Sequence, residues 1–187
     1  MIAGGSGDLP AGAFAHVALT RASGTLQVWV NGAAKGSASF PGAITHTPGQ
    51  PLCLGLSNTS GGATWLEAYF DEVRITTGVA RYTAGFAAPS SAFEDYVNTV
   101  LLLHFDKVTN TLYWADSSRY ARRVTCSPSF PAALSSTVSK FGGYAAYFSG
   151  SPAYMNVADA PELNLARTTS PSKAGSPLPL RRRASHP

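Results

Sequence analysis

Charge is scarce in this sequence: only 13% of its 187 residues are Asp, Glu, Lys or Arg, while 44% are apolar. So little charge excludes a highly charged disordered chain. The 18 glycines and 13 prolines stay below a low-complexity composition. Long apolar runs are missing too: Val100-Leu101-Leu102-Leu103 is far too short to cross a bilayer. The segment from Met1 to Asp8 lacks the basic and apolar regions of a secretory leader. Only two cysteines are present, Cys53 and Cys126, in neither CxxC nor Cys/His spacing, so no disulfide framework or zinc site is indicated. Both fall in strand-like runs and read as small buried hydrophobes, with a long-range pair between them left open. What remains is a soluble, β-rich globular chain with no membrane insertion.

The net charge of +4 is unevenly placed. Residues 167–187 carry Arg167, Lys173, Arg181, Arg182 and Arg183 and no acid, hence +5, while the other 166 residues hold nine basic and ten acidic side chains, hence −1. A basic face able to neutralise phosphates is therefore absent from the body of the chain, and nucleic acid is not an expected partner. Thr168 to Pro187 has no aromatic residue and four prolines, so it is expected to be a disordered basic tail.

Strand patterns recur along the body. In Phe14 to Arg21, Val17 and Leu19 share one face, and in Thr25 to Val30 the period of two points Leu26, Val28 and Val30 inward. Asn31-Gly32 follows, suited to a type I′ turn, with Ala33 to Phe40 as the return strand. Leu52, Leu54 and Leu56 alternate with Cys53 and Gly55. After a polar loop at Ser57–Thr64, the run Trp65 to Ile75 places Asp71, Val73 and Ile75 on one face and Phe70, Glu72 and Arg74 on the other. Gly78 to Phe93 reads as an irregular connection over the surface, Val100 to Phe105 as a new strand, and short strands are expected at 111–114, 121–126, 144–148 and 154–157. Many short strands without a helical period predict an all-β fold, an antiparallel β-sandwich.

The run His16 to Arg21, Leu26 to Gly32, Phe70-Asp71-Glu72-Val73-Arg74-Ile75-Thr76 and Gly78-Val79-Ala80-Arg81-Tyr82-Thr83 resembles the closing half of a laminin G-like, concanavalin A-like jelly-roll domain. It is similar to the version repeated in bacteriophage tail and fibre proteins. From Val100 onward, Leu101 to Asp106, Asp116-Ser117-Ser118, Ser139-Lys140-Phe141-Gly142-Gly143 and Val157-Ala158-Asp159 resemble the opening half of the next such domain. The resemblance thus implies residues 1–94 as one C-terminal half, 95–166 as the following N-terminal half, either apart or packed together as one incomplete or circularly permuted sandwich, and 167–187 as a tail. On this view the chain is expected to be a fragment of a tandem array. One departure is Phe148-Ser149-Gly150-Ser151-Pro152-Ala153-Tyr154, which lacks two carboxylates the family often places at that turn.

The resemblance implies one of two functions. The first is a non-enzymatic structural and recognition module of a phage tail or fibre, contacting host-surface carbohydrate or other virion proteins, made in the host cytoplasm and carried on the virion, with homo-oligomers in the parent assembly. Outside a virion the equivalent place is extracellular or at a cell surface. The second is a carbohydrate-active enzyme, a glycoside hydrolase or lyase, on the same fold. Glu67 and Asp71, four apart on one strand face, have backbones about 13 Å apart. Glycosidase carboxyls sit about 5–5.5 or 6.5–9.5 Å apart, so no catalytic residue is assigned.

Sugar binding needs exposed aromatic faces, for which Trp65, Tyr69, Trp114 and Tyr120 are the candidates, against a competing role as core rings. No cofactor is expected. If calcium is bound, Asp71, Asp106, Asp116 and Asp159 are its candidate ligands, although Ca²⁺ takes about six to eight oxygens and no EF-hand spacing is present. Asp71 itself reads first as a structural carboxylate bonded to a neighbouring loop. His16, His46, His104 and His186 show no metal-ligand spacing.

Overall fold

A computed structural model describes residues 7–44, 47–59, 62–106, 113–127, 129 and 131–165. The basic tail at 167–187 and the first two positions of the strand expected at 111–114 lie outside the described residues. Among the described residues, fourteen strands follow in order: β1 Val17–Ala22, β2 Thr25–Val30, β3 Ala33–Ser39, β4 Leu52–Leu54, β5 Leu56–Thr59, β6 Gly62–Trp65, β7 Glu67–Phe70, β8 Val73–Thr76, β9 Thr99–Leu103, β10 Tyr113–Ala115, β11 Arg123–Cys126, β12 Ala133–Ser135, β13 Ala145–Ser149 and β14 Met155–Val157. A 3-10 turn covers Pro161–Leu163. No helix of the described residues is long and apolar enough to cross a membrane.

All strand pairs are antiparallel, and the fold is the antiparallel β-sandwich that the alternating pattern predicts. One sheet runs β10-β11-β14-β4, a second β12-β13-β7, and β8 pairs with β9. These strands enclose one apolar cluster built on Leu101, Leu103, Trp114, Val124, Phe148, Met155 and Val157, with Leu52, Leu54, Phe70, Val73 and Ile75 packed against it. Every residue of β9 is buried, so this strand reads as continuous Val-Leu-Leu-Leu instead of alternating. Three ladders join the two halves of the sequence: Leu54 opposite Met155, Tyr69 opposite Tyr147 and Val73 opposite Leu103. The described residues of 52–76 and 99–157 therefore share one core.

The alternation expected through Trp65 to Ile75 is broken. Phe70, Val73 and Ile75 all pack on the core, where a continuous strand would send Phe70 the opposite way. The reason is Glu72, whose φ of 54° is left-handed. That kink ends β7, resets the side-chain phase and lets β8 begin in a different ladder.

The β1-β2-β3 sheet forms as the Asn-Gly signal predicts: Val30 pairs with Ala33, and Asn31 and Gly32 take φ of 49° and 81°, as a type I′ turn requires. Trp29 is buried as well as Val30. Its indole N–H donates to Thr20 Oγ1 at 2.8 Å, and its ring meets Phe86 edge-on at 5.8 Å. The 77–98 connection thus covers one face of this sheet. On the other face Val17 and Leu19 remain 56% and 65% exposed. Val17 and Leu19 stand opposite Val30 and Val28, so the face expected to point inward through Leu26, Val28 and Val30 is the more open one. The connection covers the Trp29 face instead, because alternation fixes which residues share a face but not which face finds a partner.

Candidate functional site

The outer face of the β12-β13-β7 sheet carries the aromatic surface. On β7, Glu67 and Tyr69 point outward while Ala68 and Phe70 turn to the inside. Across the ladder, Tyr69 stands opposite Tyr147 and Glu67 opposite Ser149. The two tyrosine rings lie 4.7 Å apart, tilted by 32°, and Tyr147 donates its hydroxyl hydrogen to Glu67 Oε1 at 3.1 Å. That bond to a carboxylate, with burial and the charge of Glu67 adding to it, holds the Tyr147 phenol above its ordinary pKa. Tyr69 is 38% exposed. The result is a shallow platform of two rings with a carboxylate at its edge, which can stack a flat apolar face and accept hydrogen bonds from hydroxyls beside it. Trp65, on the run just before β7, and Leu66 are also exposed.

Of the four rings expected to touch a ligand, Tyr69 sits on this platform and Trp65 lies in the adjoining hairpin, where it pairs with Leu56. Trp114 does not reach the surface. It is 2% exposed and packs edge-on against Phe105 at 5.4 Å, because β10 turns its middle residue inward. Tyr120 is exposed but belongs to the 116–122 turn, where the Arg122 guanidinium lies over its ring at 4.3 Å. Tyr147 was not among the expected rings. Its position opposite Tyr69 is a matter of register between residues 78 apart, which local pattern does not carry.

The four aspartates do not converge. Asp116 is buried, its Oδ1 accepting N–H bonds from Leu102 and Ser118, each at 2.9 Å. Its Oδ2 faces Arg122 Nη1 at 3.1 Å. Asp159 Oδ2 accepts the Gly49 N–H at 2.7 Å. Asp71 Oδ2 accepts the N–H groups of Lys140 and Phe141 at 2.6 and 2.9 Å, a structural carboxylate tying β7 to the 140–142 loop. Its other oxygen is buried without a hydrogen-bond partner. Burial raises the Asp71 pKa above the ordinary carboxylate value, opposed by those backbone bonds and reinforced by nearby Asp106. Asp71 and Asp106 are thus neighbours, but two carboxylates fall short of the oxygens calcium needs. No group of three His, Cys, Asp or Glu able to hold a metal is present among the described residues.

Cys53 and Cys126 are both unpaired thiols. Cys53 Sγ lies 3.2 Å from Asn156 Oδ1 across the β4-β14 ladder, and Cys126 is part of the apolar cluster. Burial raises both thiol pKa values, so neither is an activated nucleophile.

No curated protein and no solved structure matches the chain. Residues 2–81 match the family model described as the concanavalin A-like lectin/glucanases superfamily, and the antiparallel sandwich built here is the architecture of that superfamily.

Proposed function

We propose that this chain is a non-enzymatic carbohydrate-recognition module, with the Tyr69–Tyr147 platform and Glu67 as the sugar-contacting surface, carried on a phage tail or fibre. One observation carries the reading: two tyrosines on opposed strands, one of them well exposed, lie beside an outward carboxylate on the free face of a sandwich. A pyranose has an apolar face edged by hydroxyls, and that chemistry matches a ring platform with an acceptor at its rim. The superfamily match over residues 2–81 supports a sugar-directed domain of either kind, lectin or glucanase. The carboxylates favour the lectin. Asp71 is engaged by two backbone N–H groups in a loop, and the left-handed Glu72 turns the chain out of the strand that holds Glu67.

A glycan array run beside a polysaccharide hydrolysis assay tests the proposal. Binding without turnover is expected, with Tyr69→Ala and Tyr147→Ala each weakening it by about tenfold, the value of one lost ring contact of about 1.4 kcal/mol. Turnover abolished by Asp71→Asn, or binding indifferent to both tyrosines, overturns it.

A further inference from the structure

A second site lies on the other side of the β8 kink, where the 77–98 connection folds back over the strand. Arg74 on β8 and Arg81 on the connection face a cleft of about 250 Å³ bordered by Tyr82, Phe93, Glu94 and Tyr96. The Arg74 guanidinium lies over the Phe93 ring at 4.3 Å, and that of Arg81 over the Tyr96 ring at 4.0 Å. Rings fix both cations in place but do not neutralise them.

Neither guanidinium has an acidic partner within ion-pair distance among the described residues. Glu72, on the same strand run, is committed elsewhere: its carboxylate accepts the Phe93 N–H at 2.7 Å and lies 3.0 Å from His104 Nδ1. Arg74 makes only a 3.4 Å bond to the Glu94 carbonyl. Arg81 Nε is buried with no hydrogen-bond partner. Burial, and then the like charge of Arg81, lower the Arg74 pKa, opposed in part by Tyr82, Tyr96 and Glu72, so the two cations feel each other although neither is ion-paired. A buried unpaired donor next to a second cation is a costly arrangement for a site that stays empty.

The same Arg81 and Tyr96 also border a neighbouring cleft of about 390 Å³ lined by Val79, Val97 and Asn98. Val79 and Val97 are 45% and 76% exposed. Cationic and apolar surface therefore meet at Arg81.

We propose that this double cleft binds an organic oxyanion, its anionic group held between Arg74 and Arg81 and its ring laid against Tyr96, Val79 and Val97. An acidic sugar has this combination, and its carboxylate suits the planar fork of a guanidinium. The site is distinct from the Tyr69–Tyr147 platform and stands or falls separately.

Calorimetric titration of the full chain with sodium glucuronate, sodium sulfate and glucose, at constant ionic strength, tests it. Glucuronate binds saturably, sulfate binds about fivefold more weakly for want of the ring contact, and glucose does not bind. Arg81→Gln weakens glucuronate by about tenfold or more and Arg81→Lys by less, since Lys keeps the charge and loses the fork. Arg123→Gln, which removes a β11 guanidinium held over Tyr113 of β10, leaves the affinity unchanged. The thermal midpoint of each variant shows that it is folded, and Arg81→Lys serves if Arg81→Gln is not. No saturable glucuronate binding, sulfate binding as tightly as glucuronate, or an affinity unmoved by the folded Arg81 variant overturns the proposal.

Discussion

Asp116 and Arg122 form a buried ion pair at 3.1 Å, with side chains 0% and 11% exposed. Asp116 Oδ1 takes the Leu102 N–H, and Arg122 donates from Nη1 to the Val100 carbonyl and from Nη2 to Glu162. The pair thereby satisfies the edge of β9 that faces away from β8 and pins the 3-10 turn to it. A strand buried on both faces has no water to bond its free edge, so a side-chain pair has to do so.

Removing Asp116 leaves Arg122 with Glu162 alone and the Leu102 and Ser118 N–H groups without their buried acceptor. Asp116→Ala is expected to lower the unfolding free energy by about 3–5 kcal/mol, read from urea denaturation at neutral pH. Replacing both, with Asp116→Leu and Arg122→Met together, is expected to cost less than the single change. A single variant within 1 kcal/mol of the parent, on the order of a surface pair, refutes the clamp.

His16 governs an acid response. Its ring meets Tyr82, Phe86 and Phe93 edge-on at 5.6, 5.4 and 6.0 Å, and its Nδ1 is buried without a partner. Burial, and then Arg74, lower its pKa below the ordinary imidazole value. The unfolded chain therefore takes up the proton first as pH falls. Stability from neutral His16 is complete above the unfolded pKa and is lost as pH drops through that value toward the folded one. His16→Phe is expected to lose less stability than the parent between pH 7.5 and 5.5 in urea titrations; equal losses count against it.

Asp71 responds in the opposite sense. Its folded pKa is raised, so the folded chain keeps the proton to higher pH than the unfolded one. That contribution is complete below the unfolded pKa and is lost as pH rises through the folded value. Asp71→Asn keeps an acceptor for Lys140 and Phe141 and removes the charge facing Asp106. Its melting point is expected to exceed the parent's at pH 7, with the gap closing towards pH 3.5. A gap that widens in acid contradicts the assignment.

Two glycines with left-handed φ separate backbone from side-chain obstruction. A Cβ on Gly32 would meet the Phe86 carbonyl oxygen at 1.6 Å, and one on Gly142 would meet Asp106 Oδ1 at 1.7 Å. Only the second obstacle is the end of a side chain that can turn aside. Gly32→Ala is expected to cost about 3 kcal/mol or more and Gly142→Ala about 1–2 kcal/mol, measured by chemical denaturation. The reverse order disproves the argument.

Local chemistry was legible wherever a few adjacent residues decide the outcome. Asn31-Gly32 sets the hairpin because φ > 0 is cheap there, and the absence of any helical period excludes a helical core. The structural role of Asp71 was also visible, from a carboxylate placed in an apolar strand run. Trp114 was open between core and surface, since a ring at the middle of a short strand fits either face until the sheet has a partner. The phase reset at Glu72 was hidden, because nothing in Phe-Asp-Glu-Val announces a left-handed glutamate.

The sequence by itself determined an antiparallel β fold, its hairpin, its short strands and the segments that resemble a laminin G-like domain, because side-chain alternation and turn residues act within a few positions. Only the tertiary structure decided that β4, β7 and β8 find β14, β13 and β9, that Tyr147 comes to lie beside Tyr69, and that Arg74 and Arg81 share a cleft. Those juxtapositions depend on strand register and chain reversal over long separations, where many alternatives satisfy the same local pattern and packing of the whole core selects one.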